Sequence, residues 1–445
     1  MIRTYEDSFL KLDLKSQKKW TVNGTSRTIP VEKTLQQVSH LSKEIGLTRL
    51  ADITYMDKLY IPNYSSVLPG TEDYIWVYSG KGPTKAHAKA SAIMESIERY
   101  SSLPSSFTKK MFRGTFKELS HRYNILHPEE LVEPLSYDFQ DTMVMDYVEG
   151  FDIINRENVL VPSSLALFRY SPSYPAVNPF AFHHTNGLAS GNVFEEAVCH
   201  SLCEVIERDA VSLAELRCSA IPFHLLYNLS NNLRNNGFDV KIISKNDFID
   251  DYRIFPDVDI SDVHFQPIMN LVQRFKKHDI RLITKNVTSD LQIPTFNVAC
   301  VEWVSDNYGY LAEGHGTHPD KRIALLRAIT EASQTRAANI QGARDDLRKI
   351  KYGQNNSDDK SSWQFIPSKD RVEFSKIITY QNDDILDDIN LIISKLKKVG
   401  LNRAIIVDLT NNKIKVPVVR AIVPGLETFK FTKSMMGWRA RRNFR

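Results

Sequence analysis

Cysteine is scarce in this chain of 445 residues, with Cys199, Cys203, Cys218 and Cys300 as its four thiols. Spread this way through a long chain, they do not make a disulfide framework, which excludes a small stapled secreted domain. Glycine and proline are sparse, 18 and 19 residues without periodicity, so fibrous and low-complexity classes fall away. No apolar run approaches the roughly 20 residues that span a bilayer. The opening MIRTYEDSFLKLDLKSQKKW has no apolar core and carries acidic residues, unlike a secretory signal or a transit peptide. An excess of one charge is also missing. The 57 basic residues face 53 acidic ones, for a formal net charge of +4, whereas a nucleic-acid binder carries a clustered basic stripe. Positive charge concentrates in the closing WRARRNFR, read as a solvated tail. The expectation is a cytoplasmic protein with no nucleic-acid and no membrane partner.

What remains is the composition of a globular protein, 42% apolar, at a length that allows two or three domains or one large unit. Residues 1–24 read as a polar leader. VEKTLQQVSHLSKEIGL has helical spacing and stops at Gly46. RLADITYM, NYSSVL and DYIWVYSG read as strands, and the loop GKGPTK leads into a helix, AHAKASAIMESIERYSSL. The middle of the chain repeats the plan: a loop HHTNGLASGN, then a helix VFEEAVCHSLCEVIERDAVSLAEL. A third loop, EGHGTHPD, precedes a helix KRIALLRAITEASQTRAANI. Residues 222–262 read as a peripheral excursion and 352–363 as a polar surface loop. Strand signals return in RLITKNVTSD, PTFNVACVEW, NRAIIVDLT and VPVVRAIVP. The main domain is expected over 25–430, with a basic tail over 431–445. Three loop-to-helix units, each with glycine in the loop and glutamate on the helix, predict an α/β or α+β enzyme core.

A near-repeat carries the chemistry: ESIER at 95–99 and EVIER at 204–208. Residues three apart share a helix face, so Glu95 with Glu98, and Glu204 with Glu207, each set two carboxylates side by side. Such pairs make sense facing each other across bound cations, since Mg²⁺ takes hard oxygen ligands together with substrate phosphates. Glu196 falls on roughly the same face as Glu204, and the third helix supplies Glu331. The plainer alternative, solvated faces on which Arg99 and Arg208 pair locally, stays open.

In SGKGPTK, Gly80 and Gly82 allow close approach of a ligand while Lys81 and Lys85 offer cations at a helix start. It is not a Walker A loop, because GxxxxGK[ST] does not occur. Asn192 could cap its helix. Cys199 and Cys203, with His200 between them, read as core packing, since no further metal ligands stand nearby in sequence. His183, His184, His315 and His318 flank the glycine loops as candidate proton carriers.

Taken together, these segments resemble the YcaO family. The resemblance rests on SRTIPVEKT (26–34), GLTRLADITYMDKLYIPNYSSVLPG (46–70), YSGKGPTKAHAKASAIMESIERYSS (78–102) and TNGLASGNVFEEAVCHSLCEVIERDA (185–210). It continues through VTSDLQIPTFNVA (287–299), GHGTHPDKRIALLRAITEASQTR (314–336), QGARDDL (341–347) and VPVVRAIVPGLE (416–427). It implies an ATP-binding fold of mixed sheets and glutamate-bearing helices, not of Walker type, that uses ATP and Mg²⁺. By motif position it implies Glu95, Glu98, Glu204, Glu207 and Glu331 as metal ligands. It likewise implies Arg27, Thr34, Ser79, Lys81, Asn192, Glu196, Arg208, Arg327 and Gln334 as ATP contacts.

The activity implied is phosphorylation of an amide-derived oxygen after a nucleophile has added to a peptide carbonyl. Azoline-forming members use a substrate side chain, and often carry a Pro-rich C-terminus and a fused recognition domain. This chain ends GWRARRNFR and shows no such fusion, which favours sulfide as the nucleophile and a backbone thioamide as product. Thioglycine formation in methyl-coenzyme M reductase is one role of that type. The implied partners are a peptide or protein substrate, a TfuA-like protein with a sulfide donor, and a second copy in a homodimer. Azoline or amidine formation, and a non-catalytic ATP-binding accessory role, are the alternatives.

Overall fold

The computed structural model describes residues 12–20, 26–69, 75–135, 139–181, 183–305, 308–342, 362–432 and 434–443. The segment QGARDDL lies almost wholly outside these residues, as does most of the polar loop 352–363. The strands are β1 Arg49–Asp52, β2 Asn63–Pro69, β3 Ile75–Lys81, β4 Met111–Thr115, β5 Val144–Asp152, β6 Glu157–Pro162 and β7 Leu188–Ser190. They continue with β8 Asp257–Asp259, β9 Arg281–Asn286, β10 Thr295–Ser305, β11 Tyr308–Thr317, β12 Arg371–Glu373, β13 Ile405–Asp408 and β14 Val418–Ile422. The helices begin with α1 Val31–Val38, α2 Leu41–Glu44, α3 Lys85–Ser101, α4 Phe116–Leu119, α5 Ser163–Ala166 and α6 Phe194–Glu215. They end with α7 Ile221–Asn235, α8 Gln266–Lys277, α9 Lys321–Gln341, α10 Ile385–Lys398, α11 Phe429–Thr432 and α12 Trp438–Asn443.

Three sheets result, in the orders β1-β2-β3, β11-β10-β9-β8-β12 and β4-β5-β13-β14-β7, with β6 on β5. Pairing between these strands is antiparallel except at β8–β12. This makes the fold α+β. Each glutamate-bearing helix packs on a different sheet: α3 on β2 and β3, α9 on β10 and β11, and α6 on β7 and β14.

The three predicted loops turn out shorter than expected, because each contributes a strand end. Ser79–Lys81 closes β3, Leu188–Ser190 is β7, and Glu313–Thr317 closes β11. Gly80 therefore serves packing, not ligand approach. A Cβ there would overlap the backbone of Ala88 and Ala92 on α3, and one at Gly314 would overlap Ala328 and Ala332 on α9. Two Gly–Ala contacts thus let helix and strand backbones touch.

The helices follow from their sequences. Thr84 caps α3 by accepting the His87 N–H, and Ala88, Ala92, Ile93 and Ile97 bury one face. Asp320 caps α9, and Gly342 ends it with φ of +63°. Around α6, Val198, Leu202 and Ile206 pack with Ile389, Ile392 and Leu396 of α10. The excursion is shorter than expected, since β8 lies inside the five-stranded sheet and Val258 is buried.

Both ends of the described chain are docked. From the leader, the Lys15 N–H donates to Glu195, and the Lys19 ammonium meets Asp388 at 2.5 Å. The tail is only in part the solvated segment expected from WRARRNFR: Arg441 and Arg442 are exposed, whereas Arg439 and Ala440 are buried. Arg439, 1% exposed, donates to both oxygens of Asp209 on α6 (3.0 and 2.9 Å) and to Asp290 (2.6 Å). Glu427 accepts the N–H groups of Gly437 and Ala440.

Removing one partner of a buried pair leaves the other charge unanswered. Arg439→Ala should therefore cost about 3–5 kcal/mol of stability, read from urea unfolding. A loss below about 1 kcal/mol, the range of exposed pairs, would return the tail to the surface.

Candidate functional site

The faces of α3, α6 and α9 that turn away from their sheets enclose a cavity of about 440 Å³. Glu95 and Glu98 project from α3, Glu204 and Glu207 from α6, and Glu331 from α9, all into this space. Segment 26–34 forms another wall with Arg27 and Thr34, and β3 contributes Ser79 and Lys81. Asn192, Glu196, Arg208, Arg327 and Gln334 complete the set singled out from sequence, and every member lines this one cavity.

Burial marks the carboxylates, and it acts unequally on them. Glu98 accepts the Ser190 N–H at 2.8 Å and its hydroxyl at 2.7 Å, yet burial, opposed by Arg99 and reinforced by Glu95 and Glu204, pushes its carboxyl up to about 7. Burial does the same to Glu207, also to about 7, with Glu331 adding to it. Burial works on Glu331 too, but Lys81 and His315 outweigh it and hold that carboxyl far below its usual range. Lys81 donates directly to Glu331. The local pairs Arg99–Glu95 (3.3 Å) and Arg208–Glu204 (3.2 Å) are both present. They coexist with a shared cavity and do not turn the glutamates to solvent.

Glu196 is saturated. One oxygen accepts the N–H and hydroxyl of Thr28, each at 2.6 Å. The other accepts the Asn192 N–H and amide, each at 2.9 Å, and Arg27 at 3.3 Å. Asn192 does not cap α6 with its side chain, as its sequence position suggested. The N-cap is Val193, and the Asn192 amide is spanned between Glu196 and Thr34 (2.8 Å). Gln334 donates to the Ser79 carbonyl, and the buried Ser79 hydroxyl has no partner.

Of the candidate histidines, His315 and His318 line the cavity, whereas His184 lies behind it with Arg420 (3.1 Å). Sequence reading missed His200, Asp388 and Phe431. His200 stands four residues before Glu204, a spacing that could have placed it. Its Nδ1 is buried without a partner, and burial, with Arg327, Arg27 and Lys81 nearby, holds the ring well below its ordinary value. Phe431, from the stretch read as tail, stacks on Arg208 at 4.4 Å and meets the His315 edge-on. Nothing in FKFTK signals this.

Cys199 also gains neighbours that sequence could not show, lying within 4.8 Å of His318 and Asp388. These three do not form a metal centre. Lys19 already answers the Asp388 charge. The His318 Nδ1 accepts the Asp320 N–H at 2.9 Å, which leaves its hydrogen on Nε2, against the Ser26 hydroxyl.

Three sheet-backed helices that converge their carboxylates on one chamber, with Lys81, Arg27 and Arg327 beside them, define a site for a polyanion and hard cations outside the Walker class. The partnerless Ser79 and His200 and the unanswered Glu98 and Glu207 fit such ligands. A family model described as YcaO cyclodehydratase, ATP- and Mg²⁺-binding, matches residues 79–247 and 251–427. An uncharacterised protein of Methanothermobacter thermautotrophicus is 31% identical over 414 residues, 92% of this chain and 97% of that protein. A Rhizobium leguminosarum bv. trifolii protein, described as lying in the tfuA 3′ region, is 26% identical over 426 residues, 93% of this chain and 92% of that protein. The YcaO from Methanopyrus kandleri bound with AMPPCP and Mg²⁺ shares the fold with a TM-score of 0.69 at 20% identity, over 95% of this chain and 99% of that one. A heterocyclase in complex with substrate and cofactor gives 0.72 at 23% identity over 95% of this chain. The chain spans 55% of that heterocyclase's length. The chain belongs to the YcaO family, and ATP and Mg²⁺ are its cofactors.

Elemental analysis of the purified chain should find no stoichiometric zinc, because Lys19 and Asp320 occupy the Cys199–His318–Asp388 cluster. One zinc per chain, lost on His318→Ala, would overturn that assignment.

Proposed function

We propose that the chain activates a peptide backbone amide with ATP and uses sulfide as the nucleophile, giving a thioamide such as thioglycine. The observation that carries the choice of sulfide is the likeness, over 93% of the chain, to a protein described by its position in the tfuA 3′ region. The working partners are a peptide or protein substrate, a TfuA-like protein and a sulfide donor. A cytoplasmic setting suits the four buried free thiols. We take 25–430 as the catalytic unit, with the tail after it as its clasp.

The reaction balances as amide plus hydrosulfide plus ATP to thioamide, ADP and phosphate. Hydrosulfide adds to the carbonyl carbon, and the π pair moves onto oxygen. That oxyanion attacks the γ-phosphorus as the bond to ADP breaks. The sulfur loses its proton, C=S forms, and phosphate departs with the former amide oxygen. An amide needs this help because its oxygen is otherwise a poor leaving group. Positioning and charge neutralisation supply most of the catalysis in phosphoryl transfer.

Glu95, Glu98, Glu204, Glu207 and Glu331 would hold Mg²⁺, which when bound neutralises phosphate charge. Lys81, Arg27, Arg208 and Arg327 face the phosphates, and Ser79, Thr34, Asn192 and Gln334 orient the nucleotide. Glu196 is a positioning residue, acting through Arg27, Thr28 and Asn192.

Intact-mass analysis of candidate peptides with the chain, Mg-ATP and sulfide, with and without a TfuA-like protein, tests the reading. Exchange of oxygen for sulfur with release of ADP and phosphate is expected. Loss of one water without sulfur uptake would make the chain a cyclodehydratase. No peptide-stimulated phosphate release at all would make it an accessory factor.

The carboxylates give a pH signature. Glu98 and Glu207 sit at about 7 in the folded chain, above the ordinary carboxylate value. They therefore cost stability as pH rises from that range through about 7, and below about 7 a cation must displace their protons. Affinity for Mg²⁺ with a non-hydrolysable ATP analogue should rise below about pH 7, on the order of tenfold per proton displaced per pH unit, and level off above it. Calorimetry in buffers of different ionisation heat should detect proton release near pH 6, diminished in Glu207→Gln. Binding at that pH with no proton release would count against these two as ligands.

A further inference from the structure

Both ExxER repeats end in an arginine, yet Arg208 alone has been given a ligand. The two guanidinium groups are built alike. Each donates to the glutamate four residues back, Arg99 Nη2 to Glu95 at 3.3 Å and Arg208 Nε to Glu204 at 3.2 Å. Each also lies against aromatic rings, Arg208 at 4.4 Å from Phe431, and Arg99 at 5.6 Å from Tyr78 and 5.8 Å from Phe168. Ring faces hold a guanidinium in place without using its N–H donors. The Phe168 ring is itself fixed. Its N–H donates to the Ser102 carbonyl just past α3 at 2.8 Å, and Trp76 meets it edge-on at 5.9 Å.

Arg99 is left with donors to spare. Its side chain is 15% exposed and lines the cavity, and the bond to Glu95 is the one hydrogen bond it makes among the described residues. A guanidinium carries five N–H donors, and the buried Nη1 has no partner. Unmet donors on a buried charge are a standing cost. Position suggests what they await. Thr34 and Asn192 bond one another beside Glu196, at the first turn of α6. Arg208 lies twelve residues further along that helix, about 18 Å at 1.5 Å rise per residue. Arg420, buried behind α6, feels the charges of Glu204, Arg99 and Arg208 together, which puts both arginines at this far end. A nucleotide oriented by Thr34 and Asn192 directs its terminal phosphate there.

We infer that Arg99 is a further catalytic residue, donating to the amide-derived oxygen as that oxygen takes the terminal phosphoryl group, and so holding the phosphate that departs. This rests on the ATP-dependent half of the reading above and is indifferent to which nucleophile adds to the carbonyl. Arg99 transfers no proton and forms no covalent bond. It supplies hydrogen bonds and charge to an oxygen that begins as an oxyanion on carbon and ends on phosphorus. A planar fork of donors matches two phosphate oxygens at once, which an ammonium cannot do.

Calorimetric binding of inorganic phosphate to the full chain with Mg²⁺ and ADP tests this without turnover, since departing phosphate carries the oxygen in question. The wild type should bind phosphate. Arg99→Lys, which keeps a cation beside Glu95, should weaken that binding on the order of 10- to 100-fold. Affinity for the Mg²⁺-bound non-hydrolysable ATP analogue, which lacks that oxygen, should change far less and controls for folding. Guanidinium ion at sub-denaturing concentration should restore phosphate binding to Arg99→Ala, a rescue that a merely structural role would not give. A wild type that binds no phosphate beside ADP, or an Arg99→Lys chain that binds it as tightly, overturns the proposal. Equal loss of phosphate and analogue overturns it too, and leaves Arg99 as a support for Glu95. Azoline formation in the mass assay would overturn the sulfide reading alone.

Discussion

Carboxylates taken out of water and set near one another resist ionisation, and the rest of this structure is arranged around tolerating that. Five glutamates from three helices face one cavity. Lys81 neutralises Glu331, and Arg99 and Arg208 accompany Glu95 and Glu204. Glu98 and Glu207 form no ion pair of their own, and burial pushes both carboxyls up to about 7. A protein selected only for stability would replace such groups. Their retention makes sense as unspent affinity for added cations, the condition a Mg²⁺–nucleotide site needs.

Convergence of the three helices depends in turn on backbone contact. Gly80 on β3 and Gly314 on β11 let α3 and α9 rest directly on their strands through alanines. Any side chain there would lift the helix, and the carboxylates with it. Ile93 and Ile97 then bury α3 in one core, while Ala328, Ile329 and Ala332 bury α9 in another. Rigid sheets on three sides hold a site that would otherwise spread apart.

Helix faces were legible in the sequence because they depend on short spacings. The two ExxER repeats gave α3 and α6 their glutamates in the right register, and every residue taken from the family resemblance lines the cavity. Strand ends were harder. SGK and EGHGT look like loops because their glycines answer to helix backbones that sequence does not display. Phe431, Asp388 and Lys19 were invisible for another reason: each reaches the cavity region through a contact far along the chain. Arg439 misled because four charges among eight residues look solvated, and burial of one of them depends on Asp209 and Asp290 being elsewhere in space.

α6 is where these constraints meet. At its first turn, Glu195 and Glu196 receive Lys15, Thr28 and Arg27 from the N-terminal segment. Past its middle, Asp209 receives Arg439 from the C-terminal segment, together with the Glu427 N–H. Glu204 and Glu207 lie between the two attachments. The loop between Glu427 and Arg439 carries Phe431 onto Arg208 and Lys430 onto Glu215. Chain ends ordinarily fray. Here both segments clamp the helix whose carboxylates have the least reason to stay buried, so the cost of assembling the cavity is spread along the full length of the chain instead of falling on the helix alone.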